Sequence, residues 1–157
     1  MEKQDYIDRE NKYLARIYNS LPIVLERSEG IWMWDTDGNK YLDFLSAYSA
    51  VSFGHCNKRI VKALTDQLAK MDVPARAYHT DKLGEFAQKL CEITGMDMVQ
   101  PMNTGAEAVE TGIKAARRWG HEDKGIEEGK QRIIACNGNL HGRTTTIIRF
   151  SSDADYK

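Results

Sequence analysis

Close to residue 157 the chain carries a short apolar run, Arg132-Ile-Ile-Ala-Cys136, set between a charged glycine-containing stretch and a glycine-bounded loop. A run that is apolar throughout, rather than alternating, is the pattern of a strand buried on both faces of a parallel sheet. This constrains the fold more than any other feature, because parallel strands are joined by long, right-handed crossovers that are usually helical. A helical segment does precede it. Ala106, Val109, Ile113 and Ala116 fall on one side of a helix that Asn103-Thr-Gly-Ala-Glu107 leads into and Gly120 stops. Strand, helix and buried strand in succession define an α/β architecture. Only one or two strands of that sheet are present, and so small a parallel sheet leaves both edges uncovered. The expectation is the opening portion of a larger α/β domain, incomplete as a domain. Residues 1–56 would form an N-terminal segment and residues 57–157 the first part of the large domain.

The N-terminal segment has its own signals. Tyr6, Ile7, Tyr13, Leu14 and Ile17 are spaced for a short amphipathic helix within residues 2–20. Leu21-Pro-Ile-Val-Leu25 reads as extended, since Pro22 disfavours helix at the residue before it. A hairpin follows, with β-rich Gly30-Ile-Trp-Met-Trp34, turn residues Asp35-Thr-Asp-Gly38 and a second strand at Lys40-Tyr-Leu-Asp-Phe44. Residues 46–55 are small and aromatic, broken by Gly54, and read as irregular; they suit the wall of a site better than a core strand. Asn57 can cap a helix whose stripe is Ile60, Leu64, Leu68 and Met71. Thr80 can cap another, with Leu83, Phe86, Leu90 and Ile93 inward and Gly95 ending it. Met98-Val-Gln-Pro101 reads as a short strand or the approach to one.

Charge excludes some partners. Lys and Arg total 22 against 23 Asp and Glu, interleaved, so no basic stripe exists to draw nucleic acid or an anionic membrane. No window nears the roughly 20 apolar residues that span a bilayer. The charged, acidic start lacks the apolar run of a signal peptide. Cys56, Cys91 and Cys136 lie far apart without a CxxC pair, as expected of reduced thiols in cytoplasm, and the four histidines show no metal-ligand spacing.

Two loops could carry chemistry. At Asn103-Thr-Gly-Ala-Glu107 a helix begins, and the first-turn N–H groups of a helix have no internal partner. A phosphate suits that place: Thr104 can add its hydroxyl, and Gly105 lets the backbone approach closely. The plainer alternative is an ordinary cap. Gly138-Asn-Leu-His-Gly-Arg-Thr144 follows the apolar run, and loops after strands are where α/β sheets bind ligands. Arg143 could pair bidentately with a carboxylate, or simply be solvated; His141 could touch a ligand, or be a hydrogen-bonded loop residue.

Taken together, Thr104-Gly-Ala-Glu-Ala108 and Asn139-Leu-His-Gly-Arg-Thr144 resemble the class III pyridoxal-phosphate aminotransferases. Trp34-Asp-Thr-Asp-Gly-Asn-Lys-Tyr-Leu-Asp-Phe44, Leu45-Ser-Ala-Tyr-Ser-Ala-Val51, Gly54-His-Cys56 and Pro101-Met-Asn-Thr-Gly105 extend the match, and within that family the ornithine aminotransferases are the most similar. The resemblance runs from about Tyr18 onward and covers less than half the usual family length. It implies fold type I: an N-terminal segment with a β-hairpin, then the start of a large mixed-sheet domain. It implies pyridoxal 5′-phosphate as cofactor, its phosphate on the backbone of Gly105 and Ala106 with Thr104 beside them, and Leu140 and His141 near the ring. It implies that Arg143 receives the α-carboxylate of ornithine, that Tyr18 helps orient that end, and that Tyr48 favours ornithine over other ω-amino donors.

The family usually has a ring-stacking aromatic residue where this chain has Leu140; apolar cover would remain, without a stacking term of order 1 kcal/mol. The Schiff-base lysine and the aspartate facing the pyridine nitrogen are expected beyond residue 157, which would leave these residues inactive alone. A cytoplasmic homodimer acting on an amino acid and a 2-oxo acid, within proline biosynthesis, is implied for the intact protein. The alternatives are an acetylornithine or 4-aminobutyrate aminotransferase, against which Ser46-Ala-Tyr-Ser49 argues, and a non-catalytic truncated or split chain that acts as a binding partner.

Overall fold

The computed structural model describes residues 1–156. In chain order it contains α1 (Lys3–Tyr13), β1 (Leu25–Glu29), β2 (Trp32–Asp35), β3 (Lys40–Leu42), α2 (Lys58–Lys70), α3 (Leu83–Thr94), α4 (Gly105–Glu122) and short 3-10 turns at Ile147–Phe150 and Ala154–Tyr156. The backbone packs as two compact units, Met1–Tyr78 and His79–Lys157.

In the first unit, Glu2 N–H donates to Asp5 Oδ2 at 2.9 Å to start α1, and Lys3 Nζ lies 3.4 Å from Asp37 Oδ2 in the hairpin turn. The expected hairpin is present as β2 and β3, paired antiparallel with Trp32 opposite Leu42 and Trp34 opposite Lys40. A strand the sequence did not announce, β1, adds to its other side: Arg27 faces Trp34 and Glu29 faces Trp32, with a bulge between Leu25 and Arg27. Its residues Leu-Glu-Arg-Ser-Glu have no β-prone composition, so pairing rather than propensity makes the strand. Cations fasten this meander from both sides. The Arg27 guanidinium sits 3.6 Å from the Trp34 ring centre, and Lys40 Nζ lies 3.9 Å from that of Trp32. Each such contact contributes roughly 0.5–1 kcal/mol at an exposed site.

Asp35 closes the hairpin turn from within. Its Oδ1 accepts the N–H groups of Asp37 at 3.0 Å and Asn39 at 2.8 Å, while Oδ2 accepts Asn39 Nδ2 at 3.0 Å and Tyr41 Oη at 2.7 Å. The side chain is fully buried. The Asn39 amide chiefly, helped by the Tyr41 hydroxyl and the two backbone N–H groups, outweighs desolvation and holds the Asp35 carboxyl down at about 2. Asn57 caps α2 as expected, its Oδ1 accepting Arg59 N at 3.1 Å and Ile60 N at 3.4 Å.

In the second unit, Leu83 N donates to Thr80 Oγ1 at 3.2 Å, and Gly95 ends α3 in the left-handed region at φ 70°. Helix α4 runs past the expected stop. Gly120 is buried inside it, where a Cβ would meet Gln131 Cγ and Ile126 Cδ1 at 3.4 Å, and the chain turns back through Ile126 N to Gly120 O at 3.0 Å. The small residue answers to packing here, not to termination. The larger correction concerns Arg132–Cys136, which forms no strand; Ile134 is 96% exposed. Met98–Pro101 is likewise unpaired. A strand exists only through its neighbours' hydrogen bonds, and among the described residues the one sheet lies in the other unit. The buried apolar residues of this unit are instead Ile113 on α4 and Ile147, in the 3-10 turn that packs against α4.

The Asp35 geometry yields a prediction with a defined sign. Its folded carboxyl titrates below the ordinary 3.8, so its contribution to stability is present in full above that value and is lost as pH falls through about 2. Carboxyl carbon NMR should place the Asp35 midpoint near 2, with the Asp37 and Asn39 amides losing protection in step. A midpoint near 4 would show that the carboxylate does not staple the turn.

Candidate cofactor and substrate site

The start of α4 is built as a reciprocal cap. Thr104 Oγ1 accepts Glu107 N at 3.1 Å, while Glu107 Oε2 accepts Thr104 N at 3.1 Å and Asn103 N at 2.9 Å. Three donors are consumed by this box. What remains is specific: the N–H groups of Gly105 and Ala106, the first two helical positions, have no intrahelical acceptor. Thr104 accepts through its oxygen and keeps a hydroxyl proton to donate. A Cβ added to Gly105 would find nothing within 4 Å, so that side of the helix start is open. Donors, helix dipole and room together fit a phosphate group.

The loop at 138–144 is seated on that helix start. At Gly142 (φ 124°) a Cβ would lie 2.5 Å from Ile147 Cδ1 and 3.0 Å from Ala106 Cβ. Only glycine lets the loop lie this close. Thr144 Oγ1 donates to Glu110 on α4, so the backbone is fixed on both sides of Arg143, whose side chain is exposed. Behind them, Asn139 Nδ2 donates to Phe150 O at 2.8 Å and to Cys136 O, and Gly138 N donates to Ser152 Oγ at 2.8 Å. His141 is half-buried, with Nδ1 at 2.7 Å from Asn139 Oδ1 and its ring edge-on to Phe150 at 5.6 Å between centres. Leu140 is exposed on the same loop. Thr104, Gly105, Ala106, Gly142 and Arg143 thus belong to one local arrangement.

Tyr18 and Tyr48 lie in the first compact unit. Tyr18 lines an open cavity of about 1100 Å³ with Ile7, Leu14, Ile17, Pro22 and Val24; Tyr48 is not part of that lining. Tyr48 sits in the stretch expected to be irregular, which is in fact a left-handed helical turn. Ser46, Ala47, Tyr48 and Ser49 have φ of 48°, 47°, 57° and 70°. Without a glycine among them, this conformation costs roughly 1–2 kcal/mol per residue. Tyr48 N–H to Leu45 O at 3.0 Å and Val51 N–H to Ser46 O at 3.1 Å close the turn, and the Tyr48 ring is 85% exposed.

Sequence reasoning missed the residues that hold these groups. Glu107 was recoverable, because Thr-x-x-Glu before an apolar periodicity is the signature of the reciprocal cap. Glu110 carries no local signal, since its partner Thr144 is 34 residues away, and Asn139 gains its hold on Phe150 across 11 residues.

The family described as aminotransferase class III matches residues 13–157. Ornithine aminotransferase 2 of Staphylococcus aureus is 51% identical over 156 residues, which are 99% of this chain and 39% of that protein. The acetylornithine aminotransferase of Elizabethkingia anophelis is 52% identical with a TM-score of 0.85, over 98% of this chain and 38% of the other. The ornithine aminotransferase of Toxoplasma gondii, crystallised with partial occupancy of pyridoxal phosphate at its active site, is 36% identical with a TM-score of 0.95, over 99% and 37%. This chain therefore spans about two fifths of the relatives' length. It belongs to the class III aminotransferases, a pyridoxal-phosphate-dependent family.

Proposed function

We propose that these residues are the N-terminal part of an ornithine δ-aminotransferase, which moves the δ-amino group of ornithine to a 2-oxo acid and leaves glutamate semialdehyde. The observation that carries the reading is the seating of Gly142 on Ala106, which ties an anion-accepting helix start to a loop arginine. When bound, pyridoxal 5′-phosphate supplies the electron sink for amino transfer. The N–H groups of Gly105 and Ala106 and the Thr104 hydroxyl bind its phosphate, where the capping box has left these donors unspent. Leu140 gives the ring apolar cover, and His141 stiffens the loop through Asn139. Arg143 pairs with the α-carboxylate of the amino donor, Tyr18 orients that end, and Tyr48 sets the preference for ornithine. Residues 1–56 serve as the N-terminal segment and residues 57–157 as the first part of the cofactor domain.

The intact protein works as a cytoplasmic homodimer, in keeping with the apolar faces that α2 and α3 leave exposed at Leu64, Leu68, Phe86 and Ile93. A monomeric mass for the holoenzyme by light scattering would remove that element. None of the described lysines is buried. A lysine that carries the cofactor needs a shielded, desolvated setting, so residues 1–157 alone should be inactive and take up no cofactor covalently. Borohydride-stable labelling of one defined lysine in this chain would overturn that expectation.

A second reading, an acetylornithine aminotransferase, draws on the 52% identical Elizabethkingia enzyme. One set of kinetics on the complete holoenzyme decides between them. Arg143→Lys keeps the charge but loses the bidentate fork, and should lower kcat/KM for ornithine roughly ten- to a hundredfold, about 1.4–2.8 kcal/mol, at unchanged cofactor content. Tyr48→Leu, chosen because a β-branched side chain would strain the left-handed backbone, should reduce the ornithine over 4-aminobutyrate preference about tenfold without abolishing turnover. Unchanged ornithine kinetics in Arg143→Lys would leave Arg143 a solvated loop residue. A wild-type preference for N-acetylornithine over ornithine would favour the second reading.

A further inference from the structure

The loop that bears Tyr48 is closed at its base by one side-chain pair that the functional reading does not use. Asp43 follows β3, and its carboxylate is almost wholly shielded, with 6% of the side chain exposed. Its Oδ1 accepts the N–H groups of Leu45 and Ser46, both at 2.9 Å, at the entry to the left-handed turn. Its Oδ2 lies 2.7 Å from His55 Nε2 at the far end of the loop. The Ser46 amide first, and then the His55 ring, hold the Asp43 carboxyl below its ordinary range. Ionised, it can only accept, so His55 Nε2 carries the proton and donates.

His55 is itself anchored. Gly30 N–H donates to His55 O at 2.9 Å and His55 N–H to Gly30 O at 2.7 Å, which fixes the loop exit to the start of the hairpin. The neighbouring Gly54 presses on the same point, since a Cβ there would lie 3.3 Å from Gly30 Cα and O. One carboxylate therefore caps the turn at its start and ties its end to the sheet. A left-handed turn of non-glycine residues persists only where its surroundings over-determine it. Within the loop, Ser52 Oγ to Ser49 O at 2.6 Å and Gly54 N to Val51 O at 3.0 Å add local support, but neither reaches the sheet.

We propose that Asp43 and His55 are positioning residues for Tyr48: their hydrogen bond holds the left-handed turn in register on the hairpin and so fixes how the Tyr48 ring meets the amino donor. This rests on the reading of Tyr48 as the residue that sets donor preference. The pair touches neither donor nor cofactor in this assignment and acts through the turn.

The complete holoenzyme provides the test, through His55→Ala, His55→Gln, His55→Leu and Tyr48→Leu. Exchange of the amides in residues 44–54 should quicken at least tenfold in His55→Ala, and the ornithine over 4-aminobutyrate ratio should fall about tenfold at unchanged cofactor content. His55→Gln, which keeps an N–H to offer, should restore most of both. Placed on Tyr48→Leu, His55→Ala should shift the ratio no further, since both changes act through one side chain. If His55→Ala does not yield loaded enzyme, His55→Leu decides, because it fills the space of the ring while offering no N–H to Asp43. An unmoved ratio in that variant, or in His55→Ala, while Tyr48→Leu lowers it, overturns the positioning role alone. Additive effects in the double variant also overturn it. If Tyr48→Leu itself leaves the ratio unmoved, the reading of Tyr48 has failed first.

Discussion

A hydrogen atom where any other residue would carry a methyl group sets the geometry of the second unit. At Gly142 the loop lies so close to α4 that a Cβ would collide with Ile147 and crowd Ala106. Ile147 is the most buried apolar side chain described, and Ala106 stands in the first turn of the helix. The core and the start of α4 therefore meet at one contact, and the loop residues on either side inherit their places from it. The backbone that carries Arg143 is held, because Gly142 and Thr144 seat the chain before and after it. Packing density makes such contacts unforgiving: a methylene out of place is felt by every neighbour.

Two buried carboxylates do in the first unit what apolar packing does in the second. Asp35 and Asp43 each gather two backbone N–H groups from one turn, and side-chain donors as well: Asn39 and Tyr41 for Asp35, His55 for Asp43. An ionised carboxylate accepts along several directions at once, so one side chain can satisfy donors that face different ways. This suits a region with little core. Fixed hydrogen-bond geometry, rather than bulk burial, defines the shape of the meander and of the loop that follows it.

How much of this was legible depended on whether the cause was local. The β2–β3 hairpin was, because strand alternation and the Asp-Thr-Asp-Gly turn lie within one window. So were the caps at Asn57 and Gly95, whereas the helix expected to be capped by Thr80 has Lys82 at its N-cap position, with Thr80 accepting the Leu83 N–H from two residues further back. Strand β1 was not, since its charged residues become a strand only by pairing with β2. The reverse error befell Arg132–Cys136, whose composition is right and whose partners are missing among the described residues. For the candidate site, the phosphate cradle and Arg143 could be nominated from helix-start and loop chemistry. Tyr18 and Tyr48 came from family likeness alone, because nothing in a tyrosine's immediate sequence separates recognition from packing. The left-handed turn was invisible for a plain reason: the usual marker is glycine, and Ser46-Ala-Tyr-Ser49 has none.

That turn has an evolutionary consequence. A residue held at φ 57° is screened first by its own backbone. Valine, isoleucine and threonine branch at Cβ and fit poorly there, whereas asparagine, aspartate and glycine relax the conformation. Drift at position 48 is thus channelled toward unbranched or small polar side chains unless the whole turn refolds with the change. A lineage that acquires a branched residue at this site must rebuild the loop between Asp43 and His55 as well, so a new side chain at position 48 and a new loop conformation should appear together.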